Sequence, residues 1–390
     1  MRILLANLTK MINDTGGLAK VTCLFANEMI KRGHEVSLVY SDVTNEGTFS
    51  FPLNKAVTCY DIRHYEGQTL TYPLWLVIKR ELYRMVSKKK ARTVNDEFVE
   101  IYALKNLQAV INRVQPDVIV SFQPAATAFL LLDLHVSVPV IAMSHGDPED
   151  YFSIYPDKEV EAVAKSNVNQ VLLPSFKEHL LNHIPGAKVV VIGNPVPQYK
   201  EQALLSEEKD RYTVIFVGRL ARNHKRPHLL IKAFSQLANK FPNWQLVLWG
   251  QEDGKAYYKQ LETLIQKSGA SKRIRLAGLS SQIEKELIKA DMLVAPSAYE
   301  GFNLGLAEGM AMGLPAIGYK SCSAINELIV DGYNGYLCDD GVEALADAMR
   351  KLMTQQEDRV RMGQNAKDSM RQYAPDKIWR QWEELLESVV

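Results

Sequence analysis

Short, unbroken apolar runs recur along this chain, and stretches with apolar residues at helical spacing fill the gaps between them. That alternation constrains the fold more than any other feature. A strand that is apolar at every position is covered on both faces, and parallel sheets flanked by helices provide that cover. Residues 2–7, 36–40, 118–122, 138–143, 171–174 and 189–192 are predicted strands. Between the first two, residues 18–31 repeat apolar positions at helical spacing and close on Gly33, which completes a βαβ unit. The rhythm stops at Gly193-Asn194-Pro195-Val196-Pro197 and a polar stretch to Arg211. It then restarts, with strands expected at 213–217, 245–249, 274–277, 292–295 and 316–319 and a helix at 227–240. The expected fold class is α/β, with two doubly wound parallel sheets. The expected domains are 1–197, 198–375 and a terminal helix at 376–390, which Trp379 and Trp382 would pack back on the body.

Composition serves mainly to exclude. A net charge of +1 gives no general attraction to nucleic acid. The four cysteines, Cys23, Cys59, Cys322 and Cys338, form no CxxC or metal-ligand spacing, so a reduced, cytoplasmic setting is expected. The N-terminus runs straight into a strand without a signal-peptide pattern. No apolar run reaches the ~18 residues a membrane span needs.

The chemistry concentrates at Pro296-Ser297-Ala298-Tyr299-Glu300-Gly301-Phe302-Asn303-Leu304-Gly305-Leu306-Ala307-Glu308. Glu300 falls just beyond the C-terminal end of an apolar strand, the edge at which open α/β sheets bind ligands. A small-residue turn follows and opens a helix, whose unpaired N–H groups and positive dipole end suit a phosphate. A carboxylate can accept hydrogen bonds from two neighbouring sugar hydroxyls. Glu300 before the turn, and Glu308 two helical turns into the helix, would thus grip the two ends of a nucleotide sugar. Acidic residues near helix starts also occur for dipole reasons alone.

Other strand-to-loop junctions add to this. Asp14-Thr15-Gly16-Gly17-Leu18 is either a phosphate-side loop or a tight βα turn, and it lacks the GxGxxG pattern of dinucleotide dehydrogenases. Gly218-Arg219-Leu220, then His224-Lys225-Arg226-Pro227, brings cations able to neutralise a leaving diphosphate. Ser144-His145-Gly146-Asp147-Pro148 follows a buried strand, and Gly278-Leu279 ends another. Residues 79–92, from Lys79 to Arg92, hold seven basic residues and one acidic one interleaved with Leu82, Tyr83, Met85 and Val86. They read as a basic amphipathic helix for an anionic membrane, or as a solvated face.

Together these motifs resemble the family 4 retaining glycosyltransferases of GT-B architecture, over essentially the whole chain. The segments Glu308-Gly309-Met310-Ala311-Met312-Gly313-Leu314-Pro315 and Gly332-Tyr333-Asn334-Gly335-Tyr336 fit that family closely. The resemblance implies two Rossmann-like domains facing across a cleft. It implies that Glu308 holds the ribose hydroxyls and Glu300 the donor sugar. The amides of Phe302, Asn303, Leu304 and Gly305 would meet the sugar and diphosphate. Arg219 and Lys225 would carry phosphate charge, Gly16 and Gly17 would approach from the other domain, and Leu279 would lie by the base. His145 would stand near the donor sugar's hydroxymethyl group, and Asn194 matches a connecting-motif asparagine. The implied reaction is hexosyl transfer with retention from a nucleotide diphosphate, UDP being the expected carrier. The acceptor would be a glycan or lipid-linked glycan of envelope polysaccharide or lipopolysaccharide synthesis. No cofactor and no metal are expected, since the chain has no Asp-x-Asp motif. The competing expectation is a sugar-nucleotide 2-epimerase of the same architecture, with His145 and Asp147 as its acid/base candidates.

Overall fold

The computed structural model describes residues 1–390, the side chains of Asp150 and Tyr151 excepted. It divides into two compact units, residues 1–193 with 379–390, and residues 194–378.

The first unit holds a seven-stranded sheet: β1 (Arg2–Asn7), β2 (Glu35–Tyr40), β3 (Thr58–Asp61), β4 (Val118–Ser121), β5 (Val140–Met143), β6 (Val168–Val171) and β7 (Val189–Val191). All pairs are parallel, in the order β3-β2-β1-β4-β5-β6-β7. The chain winds outward from β1, then returns to start again at β4, so the loops after β1 and β4 diverge and leave a crevice at their C-terminal ends. Ile3, Leu4, Leu5 and Ala6 of β1 are fully buried, each large side chain contributing roughly 1.5–3 kcal/mol. Helix α1 (Gly17–Lys31) crosses from β1 to β2 and buries Val21, Phe25, Ala26 and Met29. Helices α2 (Leu74–Val86) and α3 (Lys88–Phe98) follow β3.

The second unit repeats the plan with six strands: β8 (Tyr212–Val217), β9 (Trp244–Trp249), β10 (Ile274–Gly278), β11 (Met292–Ala295), β12 (Ala316–Tyr319) and β13 (Gly335–Cys338). Their order is β10-β9-β8-β11-β12-β13, again all parallel, with the reversal between β8 and β11. Helix α4 (Pro227–Leu237) follows β8 and helix α5 (Leu304–Ala311) follows β11. The last helix, α6 (Pro375–Val389), sets Trp379 and Trp382 edge-on to Phe25 at 5.8 and 4.9 Å.

Several expected elements shift. The strand expected at 171–174 is β6, three residues earlier, because Asn169 and Gln170 are buried in mid-strand and Pro174 begins a helix. Their amides find backbone acceptors, Asn169 Nδ2 at Val163 O (3.2 Å) and Gln170 Nε2 at Ile192 O (2.5 Å). The edge strands β3 and β13 lie in segments that lack an unbroken apolar run. The single helix expected over 79–92 is broken at Ser87, whose extended backbone caps α3.

Candidate active site

The residues at the reversal point of the second sheet are drawn together by backbone contacts that tolerate no side chain. A Cβ on Gly305 would stand 2.7 Å from Val217 O, so only glycine lets the N-terminus of α5 rest on the end of β8. A Cβ on Gly250 would fall 1.8 Å from Gly218 O, which fixes the loops after β8 and β9 equally closely. Arg226 links the loops after β8 and β11, donating from Nε to Pro296 O (2.9 Å) and from Nη2 to Ser297 O (2.7 Å). Ala298 N adds a bond to His224 O at 2.8 Å.

Glu300 sits in this knot, 5% exposed. Lys225 Nζ donates to its Oε1 at 2.5 Å, and Asn303 Nδ2 donates to the same oxygen at 3.1 Å. His224 Nε2 lies 3.5 Å from Oε2, and its ring stacks on Tyr299 at 4.5 Å. Burial alone would push the Glu300 carboxyl up, but Lys225 and His224 together outweigh it and hold the group down at about 2. Glu300 is therefore an anion at neutral pH. Asn303 has φ +56°, a left-handed position that asparagine tolerates. Its Oδ1 accepts from Leu306 N at 3.1 Å, capping α5. Among the described residues the N–H groups of Leu304 and Gly305 make no hydrogen bond, as expected of a first helical turn. Phe302 is buried edge-on against Tyr373.

Glu308, also 5% exposed, is the fifth residue of α5, a little over one turn from its start and not two. The helix begins later than the small-residue turn implied because Asn303 still has left-handed backbone. Lys225 is an ion-pair partner of Glu300 here, while Arg219 is exposed. Gly278 has φ +73° and accepts from Gly250 N, and Leu279 beyond it is 61% exposed, an unusual place for a leucine.

Gly16, Gly17 and His145 belong to the first unit. Gly16 precedes α1 and donates to Asp14 Oδ1 at 2.8 Å, and a Cβ there would meet that oxygen at 3.0 Å. Asp42, fully buried, holds the preceding loop through Met11 N and Ile12 N, both 2.7 Å from Oδ2. Gln123, after β4, accepts from Leu8 N at 3.0 Å and donates to Asn7 Oδ1. His145, after β5, stacks on Phe122 at 5.5 Å. Burial pushes its imidazole down to about 4, so it is neutral near pH 7. Its buried Nε2 has no hydrogen-bond partner among the described residues, and neither has Asn169 Oδ1. Both residues line one cavity of about 260 Å³ with Leu18, Phe122, Phe152 and Tyr155. Unpaired buried polar atoms are uncommon, and each keeps the capacity for a hydrogen bond to water or to a polar ligand. Asp147 does not join them. It accepts from Glu149 N at 3.0 Å and from His179 Nδ1 at 2.7 Å as a helix cap. Asn169 and Gln123 carry no signal in the sequence, and His224, though part of the cationic segment, is not legible there as a partner of Glu300. His224 is adjacent to Lys225, and that adjacency was the available signal.

Two family models cover nearly the whole chain: Glycosyltransferase Family 4 matches residues 15–198, and Glycosyl transferases group 1 matches residues 197–369. The chain belongs to these glycosyltransferases. An exopolysaccharide phosphotransferase of Streptomyces coelicolor is 30% identical over 206 residues, 52% of this chain and 21% of that protein. The match thus spans about a fifth of that relative's length. The N-acetyl-alpha-D-glucosaminyl L-malate synthase of Bacillus anthracis is 22% identical over 97% of this chain and 95% of its own. Among solved structures, S. aureus TarM in complex with Fondaparinux, alpha-GlcNAc-glycerol and UDP superposes with a TM-score of 0.76 at 14% identity, covering 99% of each chain. The shared fold is GT-B, and the relatives of the family include enzymes of bacterial polysaccharide synthesis.

Proposed function

We propose that this protein transfers a hexose-type sugar, with retention of configuration and without a metal, from a uridine diphosphate donor to a glycan or lipid-linked glycan acceptor in envelope polysaccharide synthesis. The observation that carries the reading is the junction at β8 and β11. There a buried carboxylate pair, a partly buried lysine, an exposed arginine and a capped helix N-terminus converge on one sheet edge. In this reading Glu308 binds the ribose hydroxyls and Glu300 the donor sugar. The N–H groups of residues 302–305 take the sugar and diphosphate, and Leu279 takes the base. Arg219 and Lys225 meet the charge that grows on the leaving diphosphate, the role otherwise given to a metal. The acceptor hydroxyl forms its bond to the anomeric carbon on the face from which the diphosphate departs, and a diphosphate oxygen takes the hydroxyl proton. Neutral His145 donates or accepts a hydrogen bond at the donor sugar, with Gly16 and Gly17 close to the donor. The protein would act at the cytoplasmic face of a membrane, met through residues 79–92. UDP bound to TarM, and UDP with glucose bound to an Anabaena relative of the fold, support the choice of carrier. The 2-epimerase reading is weaker, because Asp147 is occupied as a helix cap and by His179.

A thermal-shift panel of nucleoside diphosphates and nucleotide sugars tests this, with and without chelator. Ligands that bind only the folded chain raise the melting temperature. A selective shift with UDP, unchanged by chelator, is expected. No shift with any nucleotide would overturn the assignment, and product of inverted anomeric configuration would overturn retention.

A further inference from the structure

Helix α2 is fastened to the first unit by little of its own surface. Leu76 is its one buried residue. Leu74, Trp75, Ile78, Leu82, Met85 and Val86 are all exposed, from 46% at Trp75 to 86% at Met85. At helical spacing these six project within about 120° of one another, a continuous apolar face. Contiguous exposed apolar surface of this kind marks an interaction site.

The cations around the face are not equally available. Lys79 is paired with Glu97 at 2.6 Å, Arg84 with Glu81 at 2.9 Å and Lys89 with Asp157 at 2.5 Å. Arg92 is bound bidentately to the buried Glu159 at 2.7 and 2.9 Å, and covers the Tyr155 ring. Lys88 and Lys90 are exposed at the head of α3, next to the C-terminal end of the stripe, with no ion-pair partner among the described residues. Counting residues as a basic run therefore overstates the free charge. The apolar face, fringed by two free lysines, is what the fold presents.

We propose that α2 lies in the plane of an anionic bilayer with this face inserted among the acyl chains, while Lys88 and Lys90 meet lipid headgroups. The inference rests on the membrane-side reading above and deepens it from adsorption of a basic segment to insertion of an apolar face. Charge complementarity selects the occupant. A second copy of the chain would cover the stripe but offer Lys88 and Lys90 no free anion from its own α2, whose one acidic residue, Glu81, is paired with Arg80 and Arg84, whereas an anionic leaflet attracts both lysines and accepts the stripe.

The test is flotation of the full chain with phosphatidylcholine vesicles, with and without phosphatidylglycerol, and quenching of tryptophan fluorescence by brominated acyl chains. Wild type should float with the anionic vesicles and be quenched, and Trp75→Phe should lose most of the quenching. Ile78→Asp with Leu82→Asp should lower the partition coefficient at least tenfold. Lys88→Ala with Lys90→Ala should lose the preference for phosphatidylglycerol, while the molecules still bound remain quenched. Wild-type protein that does not float, an aspartate variant that floats like wild type, or binding without quenching would each overturn the proposal. So would a lipid-free dimer, seen by sedimentation, that the aspartate variant dissolves, since the stripe would then cover itself. The UDP melting shift is measured on every variant. Its persistence shows a folded chain and leaves the transferase reading standing if insertion fails, and its absence beside normal flotation indicts that reading alone.

Discussion

Glu300 gains its character from groups that stand far from it in the chain. Its partner Lys225 is 75 residues earlier, and removal of that partner leaves a buried carboxylate facing only His224 and Asn303. The carboxyl is depressed from 4.5 to about 2, so its contribution is present above the unfolded value and is lost as pH falls through the folded one. Lys225→Met should therefore destabilise the fold at pH 7 by ~3–5 kcal/mol, as for a buried ion pair that loses one partner. The gap should narrow as pH drops toward 3. Urea unfolding of both proteins at the two pH values checks this, and a gap that stays constant with pH would contradict the ion-pair account. Glu308→Ala should weaken UDP binding by roughly ten- to a hundredfold, the loss of a charged acceptor worth ~1.5–3 kcal/mol. Calorimetric titration with UDP measures it, and unchanged affinity would remove Glu308 from the ribose.

At the scale of elements, the site depends on how closely α5 sits on β8. The helix holds its position because Gly305 meets Val217 O without a side chain between them and because Asn303 caps the helix and clamps Glu300 at once. Gly305→Ala should push the first turn of α5 outward. Since the obstacle is backbone oxygen at 2.7 Å, the strain cannot be relieved by a rotamer change. The expected cost is ~1–3 kcal/mol of stability, as for overpacking in general, and a loss of nucleotide-induced melting shift larger than the loss of stability explains. A variant with normal nucleotide response would show that the helix N-terminus does not contact the ligand. The same close approach explains why glycine stands at position 305.

At the scale of the whole molecule, two sheets of the same winding order each reverse between their first and fourth strands in chain order, and each leaves its loops open at the C-terminal edge. The final helix ties the chain end to the first unit through Trp379 and Trp382 on Phe25. Trp382→Ala should cost ~3–5 kcal/mol, as for other large aromatic deletions, and calorimetry should show it in the transition of the first unit. A loss under ~1 kcal/mol would mean that the helix is not an integral part of that core. The sequence alone determined the alternating α/β plan, the central strands and the loops that carry Glu300, Arg219, Lys225 and Gly16, because periodicity, capping and glycine placement are local properties. Only the tertiary structure decided the edge strands β3 and β13, the position of β6, and the break at Ser87. It alone paired Lys225 with Glu300, placed His145 and Asn169 in one cavity, and left one face of α2 uncovered. Burial, ionisation and exposure are set by neighbours brought from elsewhere in the chain, and no window of sequence contains them.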